Sequence, residues 1–340
     1  MPQARADPEK RVSAYPVNTS SSPDKPELVV VVGATATGKT AVGVELALAL
    51  NGEIVNGDSR LFYRGMDVAT AKPTLDEMKG VPHHLIDILD PNEQYSLASY
   101  LKNARSGIEE ISSRGKIPII VGGSGQYIWA LIEGWEVPEI EPNIQLREEL
   151  ENQLAAKGVE TLAAYLISIA PAVATETDLL NPRRVIRAIE RVLASTTDTA
   201  PIRKKAEEPP FNSLVIGLAV ERSVLHQRVL NRLDNMLENN WKSEVESLLS
   251  AGYSTDDRAM SGIGYRQMIA HLNDEYDLQE AVRKSAVATN RLIRQQNNWF
   301  KQSDPRIHWF DMTQDPLATT NSLVIMSESW HGGNTNSSDT

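Results

Sequence analysis

The chain has 340 residues, of which 41% are hydrophobic and 23% charged, a composition typical of a globular protein with one large domain or two smaller ones. The net charge of −11 argues against a general nucleic-acid binder. No apolar run reaches the roughly 18–20 residues of a membrane helix, and the absence of cysteine excludes disulfides and cysteine-based zinc sites. We therefore expect a cytoplasmic protein that does not enter a membrane.

Both ends of the chain are predicted to lie outside the folded core. Residues 1–27 mix charged residues, Pro and Ser without an apolar stretch, which excludes a secretory signal and indicates a disordered tail. Residues 316–340 end in HGGNTNSSDT, and their composition also predicts a mostly disordered tail.

A phosphate-binding loop follows the first predicted strand. The β-branched run LVVVV (28–32) suits a strand buried on both faces, and a helix is predicted over 39–50. Between them GATATGKT fits G-x-x-x-x-G-K-[ST], whose amides and lysine hold a polyphosphate and whose final hydroxyl binds Mg²⁺. Thr40 is therefore the candidate metal ligand, and the predicted diphosphate-binding residues are Gly33, Ala34, Thr35, Ala36, Thr37, Gly38, Lys39 and Thr40.

Further strands alternate with helices along the chain. EIVNGD (53–58), IPIIV (117–121) and FNSLVIGLAV (211–220) are predicted strands, so the fold class is α/β, a P-loop NTPase-like parallel sheet with flanking helices. Because the carboxyl ends of parallel strands meet at one edge, Asp58 and Ser124 are expected beside the phosphate loop. There Asp58 has three open roles: Mg²⁺ ligand, general base, or cap of the next helix.

A helical insertion domain is predicted at 143–198, within a core built from 28–142 and 199–315. Helices are also predicted over 223–252, with a break around 239–241, and over 280–302. The insertion contains the amphipathic segment NPRRVIRAIERVL and a locally basic stretch. On charge alone such stretches are either phosphate-binding tracks or solvated helix faces.

The loop by itself leaves open whose phosphates it holds. The later strands end in VGGSG and LAVERS and not in the Asp that holds Mg²⁺ in nucleotide hydrolases, and the guanine-reading N-K-x-D is absent. The sequence therefore favours a small-molecule kinase, or a transferase with diphosphate as the leaving group, over a nucleotide hydrolase.

Eight segments in this order closely resemble the bacterial tRNA dimethylallyltransferases, also called tRNA isopentenyltransferases. They are GATATGKT, DSRLFYRGMDVATAKPT, VPHHLIDILDP, YSLASY, IPIIVGGSGQYIWAL, NPRRVIRAIE, AMSGIGYRQM and RQQNNWF. The resemblance spans roughly 28–312. It implies a monomeric, Mg²⁺-dependent enzyme that transfers a dimethylallyl group from its diphosphate to N6 of the adenine 3′ of the anticodon in tRNA.

The resemblance also implies roles for individual residues. Asp58 would deprotonate or orient the adenine amino group, Lys39 would stabilise the departing diphosphate, and Ser124 would contact the target nucleotide. The insertion helices would clamp the anticodon stem-loop. The implied tRNA-binding residues are Asp58, Ser59, Arg60, Leu61, Ser124, Arg147, Arg183, Arg184, Arg187, Gly264, Tyr265, Arg266 and Arg294.

Several positions depart from the family pattern or stay open. Leu61 stands where Gln is usual, and Asn290 and Gln295 replace basic residues, which predicts fewer phosphate contacts. Trp299, in the apolar NWF, is interpreted as a core anchor in preference to a base-stacking platform. Two alternatives to tRNA prenylation remain: prenylation of free AMP, ADP or ATP, and, ranked behind it, a P-loop kinase for a small metabolite.

Overall fold

The structure is a computed structural model that describes residues 25–137, 143–194 and 205–335. The predicted N-terminal tail therefore lies outside the described residues except for its last three, of which Glu27 begins the first strand. Of the described residues, 25–95, 100–132 and 209–335 belong to one compact unit, and 96–99, 133–137, 143–194 and 205–208 belong to a second. The described part of the predicted insertion, residues 143–194, lies in the second unit.

The first unit is built on one sheet of six parallel strands in the order β3-β2-β4-β1-β5-β6. The four predicted strands are all present, and the two edge strands were not predicted. The strands are β1 (Glu27–Gly33), β2 (Gly52–Asn56), β3 (His83–His84), β4 (Ile117–Val121), β5 (Asn212–Ala219) and β6 (Ile307–Asp311).

The helices of the first unit connect and cover the strands, as a parallel sheet requires, and the helices within residues 144–194 belong to the second unit. They are α1 (Lys39–Ala49), α2 (Leu75–Met78), α3 (Leu97–Ser113), α4 (Gly125–Ile132), α5 (Ile144–Lys157), α6 (Val159–Ile169), α7 (Pro171–Thr175), α8 (Pro182–Ala194), α9 (Arg222–Glu238), α10 (Trp241–Ser250), α11 (Tyr265–Leu272), α12 (Leu278–Trp299) and α13 (Pro316–Thr335). Among the described residues, none of these helices combines the length and apolarity that a bilayer crossing needs.

Strand β1 lies in the middle of the sheet because its side chains are apolar on both faces. Val30 pairs with Ile120 of β4 on one side and with Val215 of β5 on the other. Helix α1 packs very closely on this sheet at Gly43, where a Cβ would lie 2.5 Å from Cγ2 of Val121. A larger residue at this position would push the start of α1, and with it the phosphate loop, away from the end of β4.

The prediction of a disordered C-terminal tail from residue 316 is wrong. Residues 316–335 form α13, which buries Leu323, Ser327 and Trp330 on one face. These residues lie four and three positions apart, the spacing of one side of a helix, and Leu323 and Trp330 join the cluster of α1 and the sheet. The Ser- and Asn-rich composition obscured an apolar stripe that has a core to pack against.

The predicted break in the long helix after β5 is confirmed. Helix α9 ends at Glu238, α10 begins at Trp241, and Asn240 between them has the left-handed φ of 63° that asparagine tolerates. Trp241 is fully buried immediately after the break. Because the chain changes direction at this break, both α9 and α10 can place side chains against the segment that follows β2.

The second unit has a core of its own. Helices α5, α6 and α8 pack around a cluster that includes Leu150, Leu162, Leu166, Val185 and Ile189, each at most 2% exposed. The apolar face of the segment NPRRVIRAIERVL supplies the α8 contribution, as its amphipathic pattern predicted.

Candidate active site

The phosphate loop joins β1 to α1 and is held in a bent conformation by its own side chains. Thr37, which is 2% exposed, donates from its hydroxyl to the Ala34 carbonyl at 2.9 Å. Gly38 at φ 95° and Ala36 at φ 64° occupy the left-handed region. For alanine this conformation costs free energy, and such strain is typical of sites where backbone amides must converge on a ligand.

Lys39 is turned into this loop. Its Nζ donates to the Ala34 carbonyl at 2.6 Å. Burial lowers the pKa of Lys39 to about 8, while the Asp58 carboxylate acts to raise it and the Arg232 cation to lower it further. The charges of Lys39, Asp58 and Arg232 are thus close enough to influence one another, so the phosphate loop and the end of β2 form one site.

Asp58 follows β2 in a turn that is braced from two sides. Its backbone N–H donates to Oδ1 of the buried Asn56 at 2.8 Å, and Asn56 Nδ2 returns a bond to the Asp58 carbonyl at 2.9 Å. The Asp58 carboxylate accepts the Arg60 N–H at Oδ1, at 2.9 Å. Its Oδ2 takes no hydrogen bond from the residues that the structure describes. Asp58 therefore caps its turn with one oxygen and leaves the other available, so capping and proton transfer are compatible roles.

Ser124 lies at the end of β4 directly beside this turn. Its Oγ accepts the Ser59 N–H at 3.0 Å, and its own N–H donates to the Gly57 carbonyl at 3.2 Å. The two strand ends can come this close because Gly122 has no side chain. A Cβ at this position would lie 2.2 Å from the Gly57 backbone. Since the Ser124 oxygen is an acceptor in the turn, its hydroxyl proton can be donated to a ligand. The structure thus brings Lys39, Asp58 and Ser124 together, as predicted.

Two residues from distant helices complete the phosphate loop, and sequence reasoning missed both as site residues. Arg232 of α9 donates from Nη1 to Thr35 Oγ1 at 3.1 Å, and burial lowers the pKa of Arg232. Gln296 of α12 accepts the Thr35 N–H at 2.8 Å and donates to the Gly123 carbonyl at 3.2 Å. Gln296 is 5% exposed. It lies in the RQQ segment that carries the family resemblance, but nothing in that pattern indicates a contact with residue 35.

Candidate RNA-contacting residues of the first unit divide by exposure. Arg60, Arg266 and Arg294 are exposed. Tyr265 is 1% exposed and donates from its hydroxyl to Glu244 at 2.7 Å, and Gly264 is also buried. Tyr265 and Gly264 are therefore not available to touch RNA, contrary to the prediction, because this part of GIGYR faces the interior.

The interpretation of Trp299 as a core anchor is also wrong. Trp299 is 42% exposed, whereas the neighbouring Phe300 is 2% exposed and occupies the core. The Trp299 ring packs against Gly125, where a Cβ would lie 2.3 Å from it. Both residues of this pair are aromatic, so their order along the chain does not reveal which one faces inward.

In the second unit the predicted arginines are not equivalent. Arg147 forms a bidentate pair with Glu190 at 2.9 and 3.2 Å, and Arg187 also contacts Glu190 at 3.2 Å. Glu190 is 4% exposed, so both arginines neutralise a buried carboxylate. Arg184 pairs with an exposed aspartate at 3.4 Å. Arg183 is exposed and makes no ion pair with any residue that the structure describes, which makes it the arginine most available to an outside phosphate.

The oxygen ligands at the loop fit a magnesium ion that is shared with a phosphate. The hydroxyl of Thr40 stands in the first turn of α1, and the Asp58 carboxylate lies at the same edge of the sheet. Within the described ranges no cluster of three or more acidic or histidine side chains forms a metal cage of its own. This donor set matches the preference of Mg²⁺ for one or two protein oxygens together with substrate phosphates.

Comparison with known proteins agrees with this geometry. The IPP transferase family model matches residues 61–303. The chain is 42% identical to a tRNA dimethylallyltransferase of Thermomicrobium roseum over 287 residues, which cover 84% of this chain and 87% of the relative. It is 40% identical to the tRNA dimethylallyltransferase of Corynebacterium diphtheriae, with 87% and 97% covered.

Solved structures show the same fold. The crystal structure of the full-length tRNA isopentenylpyrophosphate transferase from Bacillus halodurans superposes with a TM-score of 0.69 at 36% identity, covering 93% of this chain and all of the other. A eukaryotic dimethylallyltransferase acting on tRNA gives a TM-score of 0.76 at 24% identity, with 91% of this chain and 80% of the other covered, a level of identity at which only the fold is compared. The extent of these matches, over a sheet that brings the phosphate loop to Asp58, means that the chain belongs to the IPP transferase family.

Proposed function

We propose that this protein transfers a dimethylallyl group from dimethylallyl diphosphate to N6 of the adenine 3′ of the anticodon in tRNA, releasing diphosphate. The observation that carries the proposal is the meeting of a phosphate-binding loop with a carboxylate that keeps one oxygen available, Asp58 Oδ2. Family membership supports the same reaction.

Each step of this reaction has a group on this chain to perform it. The amides of the phosphate loop and the Lys39 ammonium bind the diphosphate and stabilise the charge that grows on it as the allylic C–O bond breaks. The adenine nitrogen forms the new C–N bond, and its proton passes to Asp58 Oδ2. The Ser124 hydroxyl, held by the Ser59 N–H at 3.0 Å, orients the base by hydrogen bonding.

Magnesium fits this site as a partner of the donor phosphates. When bound, it neutralises diphosphate charge and makes diphosphate a better leaving group. Thr40 would hold it together with the phosphate oxygens, in keeping with the oxygen ligands found at the loop. Lys39 and the loop amides grip the remaining phosphate oxygens, so the protein contribution does not depend on the metal alone.

Contacts to the anticodon stem-loop are proposed for the exposed arginines of both units. Arg60 lies two residues after Asp58 and is the nearest of them to it in sequence, Arg266 and Arg294 lie on α11 and α12, and Arg183 is in the first turn of α8. Local cations of this kind bind phosphates even on a protein of net charge −11. We further propose that the protein acts in the cytoplasm and that it is a monomer. Light scattering of the purified protein would test the oligomeric state.

The direct test offers the protein labelled dimethylallyl diphosphate with either unmodified tRNA or free AMP. Label in the tRNA, at the adenine 3′ of the anticodon, is the expected result. Label in AMP only would favour an adenylate prenyltransferase, and ATP consumption without prenyl transfer would favour a kinase. Guanine carries a carbonyl oxygen at C6 where adenine carries the amino group, so a stem-loop in which guanine replaces this adenine is the matched control and should stay unlabelled.

The pKa of Lys39 predicts a pH dependence of donor capture. Its folded value of about 8 means that the ammonium is present below this pH and is lost as the pH rises through it. We therefore expect kcat/KM for dimethylallyl diphosphate, which reports the free enzyme, to fall above pH about 8. Lys39→Arg keeps its positive charge past pH about 12 and should not show this limb. A decline at the same pH in the arginine variant would assign the limb to another group.

The exposure of Arg183 predicts a specific loss of RNA affinity. Arg183→Ala should weaken binding of the anticodon stem-loop and reduce the slope of log K against log salt by about 1, because one phosphate contact is lost. Arg183→Lys keeps the charge and should retain most of the slope. Arg187→Ala serves as a contrast, since removing a partner of the buried Glu190 should lower the melting temperature as well. An unchanged salt slope in Arg183→Ala would exclude Arg183 from the RNA surface.

A further inference from the structure

A single carboxylate organises the segment that follows the catalytic turn. Glu244, in the first turn of α10, accepts the Asp67 and Val68 N–H groups at Oε2, at 2.7 and 2.6 Å. Its Oε1 accepts the Ala69 N–H at 3.2 Å and the Tyr265 hydroxyl at 2.7 Å. Three successive backbone amides around one carboxylate form an anion nest, and the Tyr265 side chain that completes it is buried.

The same short segment is held from its other end by Arg232. Nη2 of Arg232 donates to the Thr70 carbonyl at 2.8 Å, one residue beyond the nest, while Nη1 donates to Thr35 Oγ1 of the phosphate loop at 3.1 Å. The guanidinium therefore spans two loops that are 35 residues apart in sequence. The position of the Thr70 carbonyl, which accepts one of these bonds, depends on the conformation of the 67–70 turn.

These contacts form one chain of hydrogen bonds from Glu244 through residues 67–70 and Arg232 to Thr35. We propose that Glu244 is a positioning residue: its carboxylate fixes the 67–70 turn, and through Thr70 and Arg232 this turn fixes the phosphate loop relative to the catalytic Asp58. The inference rests on the proposed function, because it takes the phosphate loop as the donor-binding site.

The substitution Glu244→Gln tests this role specifically. Glutamine has the size of glutamate, but its Nε2 cannot accept a hydrogen bond. Either the Asp67 and Val68 amides, or the Ala69 amide and the Tyr265 hydroxyl, therefore lose their acceptor. We expect Glu244→Gln to raise both the Kd and the KM for dimethylallyl diphosphate by about tenfold and to lower kcat, with the Kd for stem-loop RNA changed less than about threefold. Glu246→Gln is the matched control: Glu246 lies exposed on the same helix, and its carboxylate pairs with Lys242 at 3.8 Å.

A double-mutant cycle separates positioning from general support of the fold. Arg232→Lys keeps the positive charge but replaces the planar fork, which reaches Thr35 and Thr70 from two separate nitrogens, with a single ammonium group. If Glu244 acts through Arg232, the two substitutions should be clearly non-additive in the donor Kd, and additive effects would overturn the proposal. A lower melting temperature of Glu244→Gln with unchanged kcat, donor KM and donor Kd would also overturn it.

If Glu244→Gln does not fold, Tyr265→Phe offers a second test, because it removes one donor to the carboxylate. It should also raise the donor KM, by about threefold, and an unchanged KM would contradict the proposal.

The donor Kd is measured by calorimetry with the whole chain, independently of turnover. If the wild-type protein fails to prenylate RNA, the proposed function fails, while the Glu244 inference still stands or falls on how the donor Kd responds to Glu244→Gln.

Discussion

Replacing Asp58 with alanine is expected to lower kcat for prenyl transfer by about 10²–10⁴-fold while the KM for dimethylallyl diphosphate changes less than about threefold. An exocyclic amine is a weak nucleophile, and the carboxylate that accepts its proton acts in the transition state more than in the bound ground state. Donor binding depends on the phosphate loop and Lys39, which keep their contacts when Asp58 is shortened.

Asparagine at position 58 separates the chemical role from the structural one. Its Oδ1 can still accept the Arg60 N–H, so the turn after β2 should persist, but the amide cannot take a proton. Asp58→Asn should therefore lose kcat nearly as far as the alanine variant while it unfolds at the wild-type temperature. Asp76→Asn, in the exposed α2, controls for the loss of one negative charge. Near-normal turnover of Asp58→Asn would exclude proton transfer to this residue.

Replacing Lys39 with methionine should lower kcat/KM for the donor by about 10²–10³-fold, the range found when one preorganised group that stabilises a developing negative charge is removed. Methionine fills a similar volume, so the loop should keep its shape, but neither the charge nor the bond to the Ala34 carbonyl remains. Single-turnover rates at saturating donor would report the loss in the chemical step apart from the loss in binding.

The control for this prediction is Lys79→Met, which removes an exposed lysine paired with Glu45 at 2.6 Å. The Kd for stem-loop RNA should be the same in both variants. A Lys39→Met protein that loses RNA affinity but keeps its single-turnover rate would contradict the assignment of this lysine to the leaving diphosphate.

The central strands and the catalytic edge follow from local sequence. Apolar runs identified β1, β4 and β5, since strands in the middle of a parallel sheet are buried on both faces, and the shorter EIVNGD identified β2. The phosphate loop, Asp58 and Ser124 could be placed together because each comes at the end of a predicted strand. The two-residue β3 and the mixed IHWFD of β6 lie at the edges, where burial imposes a weaker pattern.

What the sequence did not reveal are contacts between residues that are far apart along the chain. Thr35 bonds Gln296 and Arg232, 261 and 197 positions away, and no spacing rule relates such pairs. Glu244 is a similar case, because a glutamate in the first turn of a helix is ordinary by itself and acquires its nest only from the 67–69 turn. Tyr265 looked accessible within its motif, but its hydroxyl serves that same carboxylate.

We infer that the phosphate loop and Asp58 serve one reaction, in which diphosphate leaves and adenine N6 gains the prenyl group. The most direct measurement treats an unmodified anticodon stem-loop with dimethylallyl diphosphate, digests the RNA to nucleosides and identifies the products by mass spectrometry alongside released diphosphate. We predict one N6-dimethylallyladenosine for each diphosphate released, at the position 3′ of the anticodon, and none with Asp58→Asn. Diphosphate release without modified adenosine, or equal yields from the Asp58→Asn variant, would contradict this mechanism.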